Sequence, residues 1–350
     1  MDIIINILVF ILVLGVIVFI HEFGHFIFAK MNGVYVYEFA LGMGPKICGF
    51  KGKETEYNLR AIPIGGFCQL AGEDLDSDDE ANVPKEKRLQ SKKAWQRFLI
   101  MVFGPMNNFI LAFILLFFIA LIWGGSTMNP VISSISKNSR AAEVGLEKGD
   151  KILKINGNKV STSDDVTLFL AIANPKKKNT FVVEKSNGNK KTYKIQPKAV
   201  KEDKKTSYVY GIAMEQEKLK GFGNAITYTI KKTGSIFKQM WITLKTLFTG
   251  GIKLSQLSGP VGIYSIVGEQ RAGGLANIIY LTAFLSINVG FINLLPIPAF
   301  DGGHILFILI ELIKGSPVKP EIENKIHTVF LILLMILMLV ITFNDILRLF

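Results

Sequence analysis

Four stretches of the chain run apolar for long enough to cross a bilayer: roughly 3–29, 98–123, 275–295 and 326–343. A helix of about 20 apolar residues spans the hydrocarbon core, so each is predicted to be a membrane helix. In the first, Val9 to Ile20 holds no ionisable side chain at all. It also lacks the basic leading segment and small-residue cleavage site of a removable signal peptide. Residues 31–95 are polar, with strand-like pieces at Val34–Phe39, Thr55–Leu59 and Phe67–Leu70. Gly42, Gly44-Pro45, Gly49 and Gly65-Gly66 punctuate them and are expected to form turns. From about Asn129 to Lys201 the pattern changes to strand alternation, in Val131–Ile135, Lys151–Ile155 and Thr180–Val183. Residues 222–248 return to helical spacing, with Phe222, Ile226, Ile230, Phe237, Trp241, Leu244 and Phe248 on one side. Lys231, Lys232, Lys238 and Lys245 occupy other faces, which predicts a helix lying in the membrane interface.

Composition agrees with a membrane protein. Of 350 residues, 49% are hydrophobic, too many for an ordinary soluble enzyme of this size. The formal net charge is +12, and the excess lies mostly between the second and third spans, as in Lys176-Lys177-Lys178 and Lys190-Lys191. No nucleic-acid module accompanies it, so the basic surface points to anionic lipid headgroups and not to nucleic acid. Cys48 and Cys68 form neither a metal-binding pair at close spacing nor a disulfide framework. The acidic run from Glu73 to Glu80 lacks the turn glycine and closing glutamate of a calcium loop and reads as solvated.

The chemistry begins at His21-Glu22-Phe23-Gly24-His25. Two histidines four apart share one helix face, and the intervening glutamate can act as general base toward a metal-bound water. From Ile3 to His21 is about 27 Å along a helix, which puts the motif near the far side of the bilayer. Polar groups at that depth are costly and mark function. In the second span Gly104, Asn108 and Ala112 fall four apart, a seam for close helix packing. The third span ends in Asn293-Leu294-Leu295-Pro296-Ile297-Pro298-Ala299-Phe300-Asp301-Gly302-Gly303-His304. Two prolines one residue apart break the helix, and broken backbone at membrane depth must be buried or line a wet cavity. Asp301 beside that break is the favoured third zinc ligand, with His304 as competitor or outer partner. His327 is expected at the membrane interface.

Two resemblances add to this reading. Ala141 to Gly157, with Gly145-Leu146-Glu147-Lys148-Gly149-Asp150 and Asn156-Gly157, resembles the hallmark of a PDZ domain, which binds extended peptides by strand addition; here a steric filter over the active site is an equal alternative. Tyr210-Gly211-Ile212 is a candidate for its carboxylate-binding loop. The chain as a whole resembles the site-2 protease family of intramembrane zinc metalloproteases, in its RseP-like bacterial branch. The likeness rests on HEFGH, GPMNNFILA, the PDZ-like segment, SGPVGI and NLLPIPAFDGG. It implies His21, His25 and Asp301 as ligands of Zn2+ and Glu22 as the catalytic base. Substrate handling is implied for Asn293, with Pro296 and Pro298 beside it. Phe300 stands where the family usually has Leu, and a single PDZ domain stands where the best-known relatives carry two.

The expected architecture is a polytopic α-helical membrane protein of four transmembrane helices, with membrane-associated β-hairpins and one inserted PDZ domain. Its parts would be a first half of the peptidase core (1–125), the PDZ domain (128–201), a linker with an interfacial helix (202–274) and the second half of the core (275–350). The implied substrates are single-span membrane proteins already trimmed by another protease, such as anti-sigma factors or remnant signal peptides. The family places the active site toward the cytoplasm and the PDZ domain outside. Lys30, Lys92, Lys93 and Arg97 around the first loop, and Lys314, Lys319 and Lys325 in the second, agree with that orientation. The rival readings are a membrane zinc transporter or sensor and a non-catalytic PDZ scaffold.

Overall fold

The computed structural model of the chain describes residues 2–73, 83–202, 205–251 and 258–348. The acidic run beyond Glu73 lies outside the described residues. In chain order the elements open with α1 (Asp2–Met31), β1 (Val36–Lys51), β2 (Glu56–Leu70) and α2 (Ala94–Ile119), whose end widens into a π turn, Ala120–Gly124. There follow β3 (Gly125–Ser126), β4 (Ile132–Ile135), α3 (Arg140–Glu143), β5 (Lys151–Ile155), β6 (Asn158–Lys159) and α4 (Ser163–Ala171). Strands β7 (Asn179–Glu184), β8 (Lys190–Ile195), β9 (Lys198–Glu202), β10 (Lys205–Val209), β11 (Ile212–Met214) and β12 (Lys218–Leu219) lead to α5 (Phe222–Phe248). The chain finishes with α6 (Pro260–Ala272), α7 (Leu275–Asn293), α8 (Asp301–Lys314) and α9 (Pro320–Leu347). Two compact units result, one of Met1–Leu115 with Lys253–Phe350 and one of Leu116–Ile252.

The helices Asp2–Met31, Ala94–Gly124, Leu275–Asn293 and Glu321–Leu347 are long and apolar enough to cross a membrane. The protein is therefore a multi-pass membrane protein. Through Ile7–Ile20 α1 is apolar on every side, as lipid requires. Its buried residues Val13, Ile17, His21, Gly24 and His25 nevertheless follow one face, so the histidines sit on the packed stripe. Between apolar helices in lipid, close packing supplies the attraction that water supplies elsewhere, and small residues permit it. Gly24 and Gly104 serve that purpose. A methyl group on Gly24 would collide with the Phe103 carbonyl, and one on Gly104 would fall on the His25 ring.

β1 and β2 form one long antiparallel hairpin, from Val36↔Leu70 at its base to Lys51↔Glu56 near its tip. The hairpin is folded over on itself, so Phe39 pairs with Cys68 and also with Tyr57. This corrects the expectation of separate short strands divided by glycine turns. Gly42, Gly44 and Gly65 adopt φ of +85°, +81° and +83° inside the strands. They bend the ladder through register shifts without ending it. Glu38 ties the folded sheet together by accepting hydrogen bonds from Asn58 Nδ2 at 2.8 Å and from Arg60 Nε and Nη2 at 2.9 and 2.6 Å. Partial burial works against ionising this carboxyl, but the Arg60 and Asn58 donors outweigh it and hold the Glu38 pKa below the usual carboxylate range.

The second unit has a four-stranded sheet in the order β6-β5-β7-β8, with β11 paired to β4 beside it. Its core gathers Ile152, Ile155, Phe181, Val183 and Ile195 from the strands, and Val166 and Phe169 from α4. Helix α4 begins in a capping box between Thr162 and Asp165. The border expected at 201 falls inside this unit. Tyr210 is in the core and accepts a hydrogen bond from Asn179 Nδ2 at 2.8 Å, and β11 follows it into the sheet. Nor is α5 part of a linker, because Lys232 and Lys238 pair with Asp164 and Asp165 of α4 at 2.7 and 2.8 Å. Those two lysines are spent on packing the unit, while Phe222, Ile230, Trp241 and Phe248 stay exposed.

Candidate active site

His21 and His25 are one turn apart on α1, and their Nε2 atoms lie 3.3 Å from each other. Asp301 comes to them from the far end of the sequence. Its Oδ2 is 3.2 Å from His21 Nε2 and its Oδ1 is 3.4 Å from His25 Nε2. It is the first residue of α8, released by the broken stretch after α7. In that stretch Phe300 N–H donates to the Ile297 carbonyl at 3.2 Å, closing a turn around Pro298 and Ala299. Ala299 has φ +92°, a left-handed conformation that costs a non-glycine residue about 1–3 kcal/mol.

Glu22 faces a cavity of about 800 Å³ together with His21, His25 and Asp301. β2 passes close to this part of α1, since a methyl group on Gly66 would lie 3.5 Å from the Glu22 side chain. The outer contacts of the histidines fix which ring nitrogen is free. His25 Nδ1 lies 2.9 Å from the Ile100 carbonyl, which can only accept, so Nδ1 carries the proton and Nε2 keeps its lone pair. His21 Nδ1 lies 3.2 Å from the Asn108 amide, whose Oδ1 is buried without a partner. Half a turn of that amide presents Oδ1 to His21 Nδ1–H and satisfies both groups.

These residues fit a zinc ion. The two Nε2 atoms lie 3.3 Å apart and each has an Asp301 oxygen within 3.2–3.4 Å, close enough for all three residues to reach one ion at the usual Zn–N and Zn–O distance of about 2.0 Å. The Asp301 Oδ2 atom is buried without a hydrogen-bond partner, as a ligand atom awaiting a cation would be. Two histidines and a carboxylate also leave a fourth position for water.

The peptidase family M50 profile matches residues 9–337. The chain belongs to peptidase family M50. It is similar to the Regulator of sigma-W protease RasP of Bacillus subtilis, 35% identical over 99% of both chains. It is likewise similar to the Zinc metalloprotease RasP of Bacillus licheniformis, 33% identical over 99% of both, and to the Enterococcus faecalis chain named "Probable protease eep", 35% identical over 99% of both. As a family M50 member the chain is a zinc metalloprotease, and its four long apolar helices make that proteolysis a membrane activity.

Of the residues singled out in the sequence, His21, His25, Asp301 and Glu22 meet in one cavity. Asn293 closes α7 just before the broken stretch, and neither it nor Pro296 nor Pro298 belongs to the cavity lining. Sequence reasoning assigned Asn108 to a packing seam. Its place on that seam was the available signal, because a buried Asn among small residues needs a partner, and His21 is that partner. His327, expected at the interface, instead lines the cavity and accepts the Ala299 N–H at 3.2 Å.

Proposed function

We propose that the protein hydrolyses peptide bonds of single-span membrane proteins within or beside the bilayer, with His21, His25 and Asp301 holding the zinc ion and Glu22 as general base. One observation carries the assignment. Donors from two ends of the sequence converge at ligand spacing next to a carboxylate in a roomy cavity. Zinc, when bound, acidifies a water and polarises the scissile carbonyl. Glu22 takes the proton as that water's oxygen bonds to the carbonyl carbon, then returns it to the amide nitrogen as the C–N bond breaks. Ile100 and Asn108 keep the two imidazoles in the tautomer that leaves each Nε2 free.

A transmembrane helix hides its carbonyls in its own hydrogen bonds, so the substrate must unwind before attack. Asn293, Pro296 and Pro298 are proposed to hold the unwound segment as it approaches. The strand Gly66–Leu70 supports a further contact, pairing with an extended substrate. A methyl on Gly66 would crowd the Val18 side chain and the Ala40 carbonyl, with the Glu22 stem 3.5 Å away, so that backbone runs close past the proposed base. The Leu116–Ile252 unit is read as the PDZ domain. β11 and α4 border a groove of about 670 Å³, with Tyr210-Gly211-Ile212 at one end and Arg140 and Lys198 on its rim. A peptide carboxylate suits that rim. The exposed aromatic stripe of α5 would rest on lipid, continuing from Phe222, which meets Phe117 of α2 edge-on at 5.5 Å. The proposed orientation has the histidine end of α1 toward the cytoplasm and the PDZ domain outside. The Bacillus subtilis relative is named for regulating sigma-W, which supports pre-trimmed anti-sigma-like proteins as substrates.

The test is cleavage of a model transmembrane peptide by the purified full chain, with and without chelator. Glu22→Gln should keep its zinc and lose about 10²–10⁴-fold in turnover. Retained cleavage by that variant would remove Glu22 from the mechanism. In the same assay Asn293→Ala at the wild-type rate would end the proposed role of Asn293.

A further inference from the structure

We propose that His327 of α9 is a positioning residue for the metal centre, holding in place the strained turn that presents Asp301. The inference rests on the ligand set proposed above. Ala299 occupies the third place of the Ile297–Phe300 turn, after Pro298, with φ +92°. Proline followed by a left-handed residue is the type II arrangement, and its third place ordinarily goes to glycine. Alanine resists that conformation because its Cβ crowds the backbone, so something outside the turn must hold it. The Ala299 N–H donates to His327 Nδ1 at 3.2 Å, across to a different helix. Asp301 follows two residues later as the first residue of α8.

The acceptor is itself held fast. The His327 ring stacks on His304 with centroids 4.1 Å apart and leans on Phe307 at 5.5 Å. Glu323, one turn earlier on α9, faces His304 Nδ1 at 3.4 Å and His327 Nε2 at 4.0 Å. The fourth span therefore holds the turn before Asp301 through a hydrogen bond to its strained backbone. Without that bond the turn can relax toward ordinary φ, and Asp301 moves off the spacing that matches His21 and His25.

The experiment measures the chelator concentration that strips zinc from the purified full chain, read with a zinc-sensitive dye, alongside thermal unfolding. His327→Leu should surrender zinc at roughly 10- to 100-fold lower chelator, the loss typical of removing an outer partner of a metal ligand. His327→Asn keeps an acceptor near the Nδ1 position and should hold zinc close to the wild type. Replacing Ala299 by glycine in the His327→Leu background makes the turn independent of its clamp and should restore most of the lost affinity. The proposal is overturned if His327→Leu holds zinc like the wild type while Asp301→Ala loses it. It is equally overturned if the double variant folds and leaks zinc as readily as His327→Leu. Zinc retained by Asp301→Ala would instead bring down the ligand set on which the inference rests.

Discussion

Two trios, each of two histidines and a carboxylate, lie in the unit of Met1–Leu115 and Lys253–Phe350: His21, His25 and Asp301, and His304, Glu323 and His327. By residue type either could hold a metal. They differ in what faces the second ring nitrogen. In the first trio His25 Nδ1 meets a carbonyl, an acceptor, so the proton goes there and Nε2 is left with a lone pair for a cation. In the second trio His327 Nδ1 meets the Ala299 N–H, a donor. Its lone pair is used up, so the neutral ring carries its proton on Nε2, toward Glu323. Spacing separates them less, with 3.2–3.4 Å in the first trio against 3.4 Å from His304 to Glu323 and 4.0 Å from His327 to Glu323 in the second. With the first trio as the proposed ligand set, the comparison teaches that outer hydrogen bonds sort two histidine–carboxylate clusters that residue type alone does not.

The sharpest way to break this comparison is to count zinc. The wild type should carry one zinc per chain by elemental analysis. His25→Ala should carry essentially none, since removing one of three protein ligands dismantles the site. Glu323→Ala should still carry one. Two zinc ions in the wild type and one in Glu323→Ala would make the second trio a metal site and end the distinction.

The first trio was largely legible in the sequence. His21 and His25 share a helix face by local spacing alone, and the flanking apolar run made their polarity costly. Asp301 was legible because Pro296 and Pro298 announce an open backbone, and a carboxylate next to it asks for a purpose. What escaped was set by tertiary contact. Asn108 and Ile100 orient histidines more than seventy positions away in the chain, and no local pattern encodes that pairing. His327 gave no sign because its role depends on the φ of Ala299, which the letters do not carry. The glycines of the first loop misled for a related reason, since a left-handed glycine serves a turn and a bulge equally well. The compact unit runs past 201 because β9 and β10 form their own hairpin before Tyr210 returns to the core, which local alternation does not show. The lysines of α5 fall on the polar faces of an interfacial helix by spacing alone, yet two of them meet the aspartates of α4.

Smaller effects should grade outward along the contacts of His21. Asn108 is fully buried and bonds to His21, and its own carbonyl accepts the Ser286 hydroxyl of α7 at 2.8 Å. Asn108→Leu keeps the volume but leaves His21 Nδ1–H without an acceptor, freeing the ring to tip or change tautomer. Zinc affinity should fall about 10- to 100-fold by chelator competition. Ser286→Ala removes one hydrogen bond from the residue that holds the histidine and leaves the histidine contact itself intact. Its cost should be about 1 kcal/mol, or roughly fivefold in zinc affinity if the whole of it reaches the site. A loss from Ser286→Ala as large as that from Asn108→Leu would mean that α7 positions the metal centre directly. The orienting bond in the first trio would then be no more local than the His327 clamp in the second.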